Sequence, residues 1–114
     1  MDTVEIARRL KEAGYSLYGL SNWNATTFEW VKDRFVFLQY LDDFLLSGQV
    51  NQVKPEPEIY HTLLNKIGRK AEECLFIDDS AANINTAQEI GFQTILFTSA
   101  QQLAAELTNR GILL

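Results

Sequence analysis

The sequence predicts an α/β domain with a parallel sheet, because short apolar runs alternate with amphipathic helical segments along its 114 residues. The run at 74–77 is continuously apolar, which is typical of a strand buried on both faces of a parallel sheet. The sequence contains no internal repeat and no Gly/Ser-rich linker. We therefore treat residues 1–114 as one domain, or as part of one.

The first half of the chain predicts two helices and two strands. Apolar residues recur at helical spacing within 4–13, and Gly14 stands where such a helix would end. Residues 15–20 predict a strand, because the segment is short, mostly apolar and ends in polar residues. The aromatic-rich stretch 26–40 predicts a helix, and the apolar residues 44–46 predict a second, short strand.

The second half continues the alternation. Prolines open the helix predicted at 55–67, where a first-turn proline is tolerated because the N–H it lacks has no partner there. The strand at 74–77 follows, and the apolar stripe at 84–90 predicts the next helix. Glycine follows both of these helices, as expected at a helix end. A last strand at 94–97 and a last helix at 103–112 complete the pattern.

Composition excludes several classes of function. The net charge of -5 argues against a nucleic-acid partner, which would need a basic face. No run of about 18 uncharged apolar residues is present, so the sequence predicts no membrane span. The single cysteine, Cys74, offers neither an internal disulfide nor a metal cluster, and we therefore expect a cytoplasmic protein.

Polar side chains follow three of the predicted strands. Ser21 and Asn22 follow the first strand, Lys54 follows the second, and Asp78 and Asp79 follow the third. Because the carboxyl ends of parallel strands meet at one edge of a sheet, we expect these groups to converge. Adjacent carboxylates repel each other unless a cation holds them, and oxygen ligands suit Mg²⁺. A lysine and a metal ion would supply the local positive charge that phosphoryl transfer requires.

Three segments carry a resemblance to a known family. Y-G-L-S-N (18–22), K-P-E-P-E-I-Y (54–60) and L-F-I-D-D-S-A-A-N (75–83) resemble motifs II, III and IV of the haloacid dehalogenase-like (HAD) superfamily. Their order, spacing and strand context agree with that family over essentially the whole chain. The resemblance implies a Rossmann-like core with a parallel sheet and an acidic corner that binds Mg²⁺.

The resemblance also implies a role for each polar residue at the sheet edge. Ser21 and Asn22 would bind the transferring phosphoryl group. Lys54 would neutralise the charge of the nucleophile and of the phosphate. Asp78 and Asp79 would coordinate Mg²⁺, and Asn83 would do so directly or through water.

The chain departs from the family pattern in one respect. Family members begin with a strand that ends in D-x-D-G, whose first aspartate attacks phosphorus, and a cap domain usually follows. No D-x-D occurs in this sequence. The resemblance therefore predicts a truncated core that lacks its first, central strand and its cap. We expect the central position to be filled by direct pairing of strands 15–20 and 74–78, by a second chain, or by the rest of a larger protein.

Three functions remain open. The first is the carboxyl-terminal portion of a Mg²⁺-dependent phosphatase for a small phosphorylated metabolite, inactive as the isolated chain because covalent catalysis lacks its nucleophile. The second is a hydrolase of the 2-haloacid dehalogenase type, although the family's dehalogenases use no Mg²⁺ and lack paired aspartates. The third is a non-catalytic fragment that only binds a partner. Taken singly, a Ser-Asn pair after a strand is usually a turn or a helix cap.

Overall fold

The computed structural model describes residues 2–21, 40–46, 50 and 52–112. Helices and strands alternate through these residues, which confirms the α/β class. The elements are α1 (Thr3–Glu12), β1 (Tyr18–Ser21), β2 (Asp43–Leu46), α2 (Pro57–Ile67), a single 3₁₀ turn (Ala71–Glu73), β3 (Leu75–Asp78), α3 (Ala81–Ile90), β4 (Gln93–Leu96) and α4 (Ala100–Asn109). The helix predicted at 26–40 lies outside the described residues, apart from its last position. None of the described helices has the length and apolar character needed to cross a bilayer.

Several boundaries differ from the sequence prediction by a few residues, and two of them differ for identifiable reasons. The first strand begins at Tyr18 rather than at residue 15. The backbone N–H of Leu17 donates to Asp42 Oδ2 at 2.6 Å, so the regular ladder starts one residue later. Helix α2 begins at Pro57, and Pro55 lies in the preceding turn. Glu56, which precedes Pro57, is extended with a ψ of 135°, as expected for a residue before proline.

The strands form two parallel pairs. β1 pairs with β2, with Ser21 opposite Leu46, and β3 pairs with β4, with Asp78 opposite Leu96. Parallel pairing of β3 with β4 is expected for two strands joined by a single helix, α3. In the part of the chain that the structure describes, the two pairs are separate sheets. Direct pairing of β1 with β3, one of the three expected arrangements, is not seen there.

Strand β3 packs between helices, and β1 and β2 pack against one of the same apolar clusters. Phe76 of β3 belongs to an apolar cluster formed with α2 and α3, and its neighbours Leu75 and Ile77 pack against a second cluster formed with α1 and α4. Successive side chains of a strand point to opposite faces, so the two clusters lie on opposite faces of β3. Leu20 of β1 and Leu45 of β2 pack into the first cluster. Strand β3 is thus covered on both faces, as its apolar run predicts.

The glycines that end α2 and α3 offer a matched test of backbone strain. Gly68 has a φ of 69° with open space where a Cβ would lie, whereas Gly91 has a φ of 119° and a Cβ would lie 3.3 Å from Glu72 Oε1. We expect Gly68→Ala to lower the free energy of unfolding by about 1 kcal/mol and Gly91→Ala by about 2–3 kcal/mol. Urea unfolding of both variants checks this order; equal losses would contradict it.

Candidate functional site

The site lies at the carboxyl end of β3, where the buried strand meets α3. Asp78 is the last residue of β3, and α3 begins at Ala81 behind its N-cap, Ser80. The Ser80 side chain accepts a hydrogen bond from the backbone N–H of Asn83. The polar residues that stop the strand therefore also start the helix, which places Asp78 beside the first turn of α3.

Lys54 reaches this position from the turn that precedes α2. Its Nζ lies 2.7 Å from Asp78 Oδ2, and the two side chains are only 12% and 8% exposed. Every other ion pair found among the described residues has both side chains at least 32% exposed. The Lys54–Asp78 pair is therefore the one for which exclusion of water strengthens the attraction. The predicted convergence of these two residues is confirmed.

Asp78 is held by three donors. Besides Lys54, the Asn83 amide Nδ2 donates to Oδ2 at 3.1 Å, and the Ser80 backbone N–H donates to Oδ1 at 2.9 Å. Burial alone would raise the pKa of the Asp78 carboxyl, but the Lys54 ammonium and the Ser80 and Asn83 donors outweigh it and lower that pKa below the ordinary value of 3.8. Asp78 is therefore an ionised anchor at neutral pH, with most of its acceptor capacity used by protein groups.

Asp79 differs from its neighbour. Its side chain is exposed, and within residues 2–21, 40–46, 50 and 52–112 it takes part in no hydrogen bond or ion pair. Mg²⁺ commonly uses one or two carboxylates and fills its remaining positions with waters and phosphate oxygens. The described residues contain no group of three His, Cys, Asp or Glu side chains that could hold a metal. An exposed carboxylate such as that of Asp79 has the oxygen chemistry that a site with one or two protein carboxylates uses, and its predicted role as a metal ligand stays a prediction.

The remaining predicted site residues are only partly described. Ser21 is the last residue of β1, so its backbone lies at the carboxyl end of a parallel strand, as expected. Its side chain and the whole of Asn22 lie outside the described residues, and their roles stay predictions. The structure thus brings together Lys54, Asp78 and Asn83, with Asp79 next to them.

Sequence reasoning missed two groups at this site. The Ser80 backbone N–H binds Asp78, and the Tyr60 hydroxyl donates to the backbone carbonyl of Asn83 at 3.1 Å. Tyr60 stands in the segment 54–60, but no role was predicted for it. Its position next to Ile59 on the apolar side of α2 could have indicated a buried hydroxyl, which needs a partner.

Comparison with known proteins identifies the family. A family model for the haloacid dehalogenase-like hydrolases matches residues 2–91. The chain belongs to the haloacid dehalogenase-like hydrolases. Motifs II, III and IV fall within the matched region, so the resemblance read from these segments is confirmed at the level of the family.

Three similar proteins show what this family includes. The chain is 31% identical over 100 residues to D-ribitol-5-phosphate phosphatase of Bacteroides thetaiotaomicron, covering 82% of this chain and 48% of that protein. It is 29% identical over 94 residues to (S)-2-haloacid dehalogenase 4A of Burkholderia cepacia, covering 82% and 41%. A HAD family enzyme of B. thetaiotaomicron, crystallised with magnesium and inorganic phosphate, matches with a TM-score of 0.73 and 32% identity, covering 87% and 54%. The chain therefore spans about half the length of each of these relatives.

Proposed function

We propose that this HAD-family chain is the carboxyl-terminal portion of a Mg²⁺-dependent phosphatase that hydrolyses a small phosphorylated metabolite. The observation that carries the proposal is the buried Lys54–Asp78 ion pair with the exposed Asp79 beside it. A dedicated cation and a solvent-facing carboxylate at one strand end suit a phosphate with its metal ion. A cytoplasmic location is part of the same proposal.

The ion pair would position Lys54 for phosphate. Asp78 holds the ammonium at 2.7 Å, while Ser80 and Asn83 hold Asp78, so the lysine charge is placed before substrate arrives. Such preorganised charge stabilises the transferring phosphoryl group without reorganisation during the reaction. Because the chain carries a net charge of -5, a fixed local cation offsets the repulsion that a phosphate would otherwise meet.

Asp79 would hold the metal ion, with Asn83 contributing directly or through water. When bound, Mg²⁺ supplies charge neutralisation at the phosphoryl oxygens. Asp78 has less capacity for this role, since three protein donors already occupy its oxygens. The magnesium and phosphate in the similar B. thetaiotaomicron structure support, by analogy, the use of Mg²⁺ with a phosphate, without indicating which residue binds the metal.

The nucleophile would come from a strand outside β1–β4. Among the described residues the two parallel pairs form separate sheets, but both pack against the apolar cluster that includes residues of α2 and α3. A strand between them would complete the sheet and bring an aspartate to the edge where Asp78 and Lys54 lie. We propose that this strand belongs to a second chain or to another part of a longer protein.

The experiment compares the isolated 114-residue chain with the complete protein, using Mg²⁺ and a generic aryl phosphate. We expect phosphate release only from the complete protein, because the isolated chain lacks the aspartate that attacks phosphorus. Robust hydrolysis by the isolated chain that disappears in Asp79→Ala would show that the nucleophile lies within these residues. Metal-independent halide release from a 2-haloacid by the complete protein would instead establish the dehalogenase alternative.

A further inference from the structure

Tyr60 is the largest fully buried side chain in the described part of the molecule. Its ring lies 5.4 Å from Phe76 and 6.2 Å from Phe92 between centroids, with an edge-to-face arrangement in both contacts. A phenylalanine would make the same ring contacts, so packing alone does not account for the hydroxyl. A buried hydroxyl carries a desolvation cost that only a hydrogen-bond partner offsets.

The hydroxyl finds that partner on the neighbouring helix. It donates to the backbone carbonyl of Asn83 at 3.1 Å, and across the described residues this is the one hydrogen bond that joins α2 to α3. Burial, and then the negative charge of Asp78, raise the pKa of Tyr60 to about 12. The hydroxyl therefore keeps its proton and remains a donor at neutral pH.

The donors to Asp78 come from the amino-terminal ends of the same two helices or from the residues just before them. Lys54 lies in the turn just before α2, Asn83 lies in the first turn of α3, and both donate to the same oxygen, Asp78 Oδ2. The positions of both donors therefore depend on where the amino-terminal ends of α2 and α3 lie relative to Asp78. The Tyr60 bond ties α2 to the very residue whose amide makes the second contact.

We infer that Tyr60 is a positioning residue for the acidic corner, acting through Asn83. By fixing the backbone of Asn83, it aims the Asn83 amide at Asp78, and Asp78 in turn fixes Lys54 and leaves Asp79 for the metal. This role rests on the proposed function, because the metal and the phosphate belong to that proposal. The hydrogen bond between Tyr60 and Asn83 is independent of it.

The test is Tyr60→Phe in the complete protein, with Tyr15→Phe as the control. Both changes remove one hydroxyl, but Tyr15 is 43% exposed. Mg²⁺ affinity is measured by titration calorimetry with the metal alone, and exchange of the Asn83 side-chain amide protons by NMR. Loss of an outer contact to a metal site costs about tenfold or more in affinity. We expect about a tenfold weaker Mg²⁺ affinity and faster Asn83 amide exchange in Tyr60→Phe, and neither change in Tyr15→Phe.

A double-mutant cycle separates positioning from general core packing. If Tyr60 acts through the Asn83 amide, Tyr60→Phe should cost no further Mg²⁺ affinity in an Asn83→Ala background. An equal further loss in that background would overturn the inference, as would unchanged Asn83 exchange in Tyr60→Phe. Faster Asn83 exchange in a protein that binds no Mg²⁺ would support the positioning contact and overturn the proposed function instead.

Discussion

Replacing Lys54 with methionine is expected to lower both the free energy of unfolding and the rate of the proposed phosphatase reaction of the complete protein. Methionine keeps much of the apolar stem but removes the ammonium, which leaves the buried Asp78 carboxylate without its cation. We expect the free energy of unfolding to fall by about 3 kcal/mol. This value is the upper end of the usual range for a hydrogen bond to a charged group and the lower end of the range for breaking a buried ion pair. Turnover should fall by about 10²–10³, the usual effect of removing one preorganised charge contact.

Lys66→Met is the matched control for Lys54→Met. Lys66 pairs with Asp43 at 3.8 Å, and these two side chains are 39% and 50% exposed. An exposed pair of this kind contributes less than about 1 kcal/mol, so stability and turnover should remain close to those of the parent protein. Urea unfolding and steady-state kinetics measure both variants. Equal effects of the two substitutions would contradict a special role for the buried pair.

Substitution of the two adjacent aspartates is expected to have different effects: at Asp78 mainly on stability, and at Asp79 mainly on metal binding and catalysis. Asp78→Asn should destabilise the fold by about 3 kcal/mol, because it removes the charge that Lys54 meets inside the protein. Asp79→Asn should change stability by less than about 0.5 kcal/mol, since the side chain is exposed. In Asp79→Asn we expect weaker Mg²⁺ binding, and we expect turnover to fall by a factor on the order of 10²–10³, as for the loss of one preorganised charge contact.

Calorimetric titration of Mg²⁺ and urea unfolding on both aspartate variants test this division. The decisive comparison is between the two effects within each variant, because Asp78→Asn also disturbs the site through Lys54. Normal Mg²⁺ affinity in Asp79→Asn together with lost affinity in a folded Asp78→Asn would reverse the assignment. If both variants lost the same free energy of unfolding and the same Mg²⁺ affinity, the two aspartates would not have the separate roles assigned here.

Most of the fold follows from the sequence, because burial dictates where the strands lie. The apolar run of β3 and the polar residues that stop it are visible directly, and β3 pairs with β4 as its connecting helix predicts. The meeting of Lys54 with Asp78 is also predicted, since Lys54 follows β2 along the chain and Asp78 ends β3, and both strands are expected to have their carboxyl ends at one edge. The ends of strands are less predictable. The backbone N–H of Leu17 donates to the Asp42 side chain, and β1 begins only after this residue.

The division between Asp78 and Asp79 does not follow from composition or spacing. The two residues are chemically identical and adjacent, and only the register of β3 decides which one meets Lys54. Successive strand side chains point in opposite directions, so a shift of one residue would exchange their roles. The hydrogen bond from Tyr60 to Asn83 could not be predicted from the sequence either, because it depends on how closely α2 and α3 approach each other.

The central claim is that the carboxyl end of β3 binds a phosphate and its metal ion. A crystal structure of the complete protein with Mg²⁺ and inorganic phosphate tests it most directly. We predict a metal ion bound by the Asp79 carboxylate, a phosphate within hydrogen-bond reach of Lys54 Nζ, and the contact between Lys54 and Asp78 still in place. Metal and phosphate bound at another edge of the sheet, with Asp79 and Lys54 contacting neither, would contradict the account.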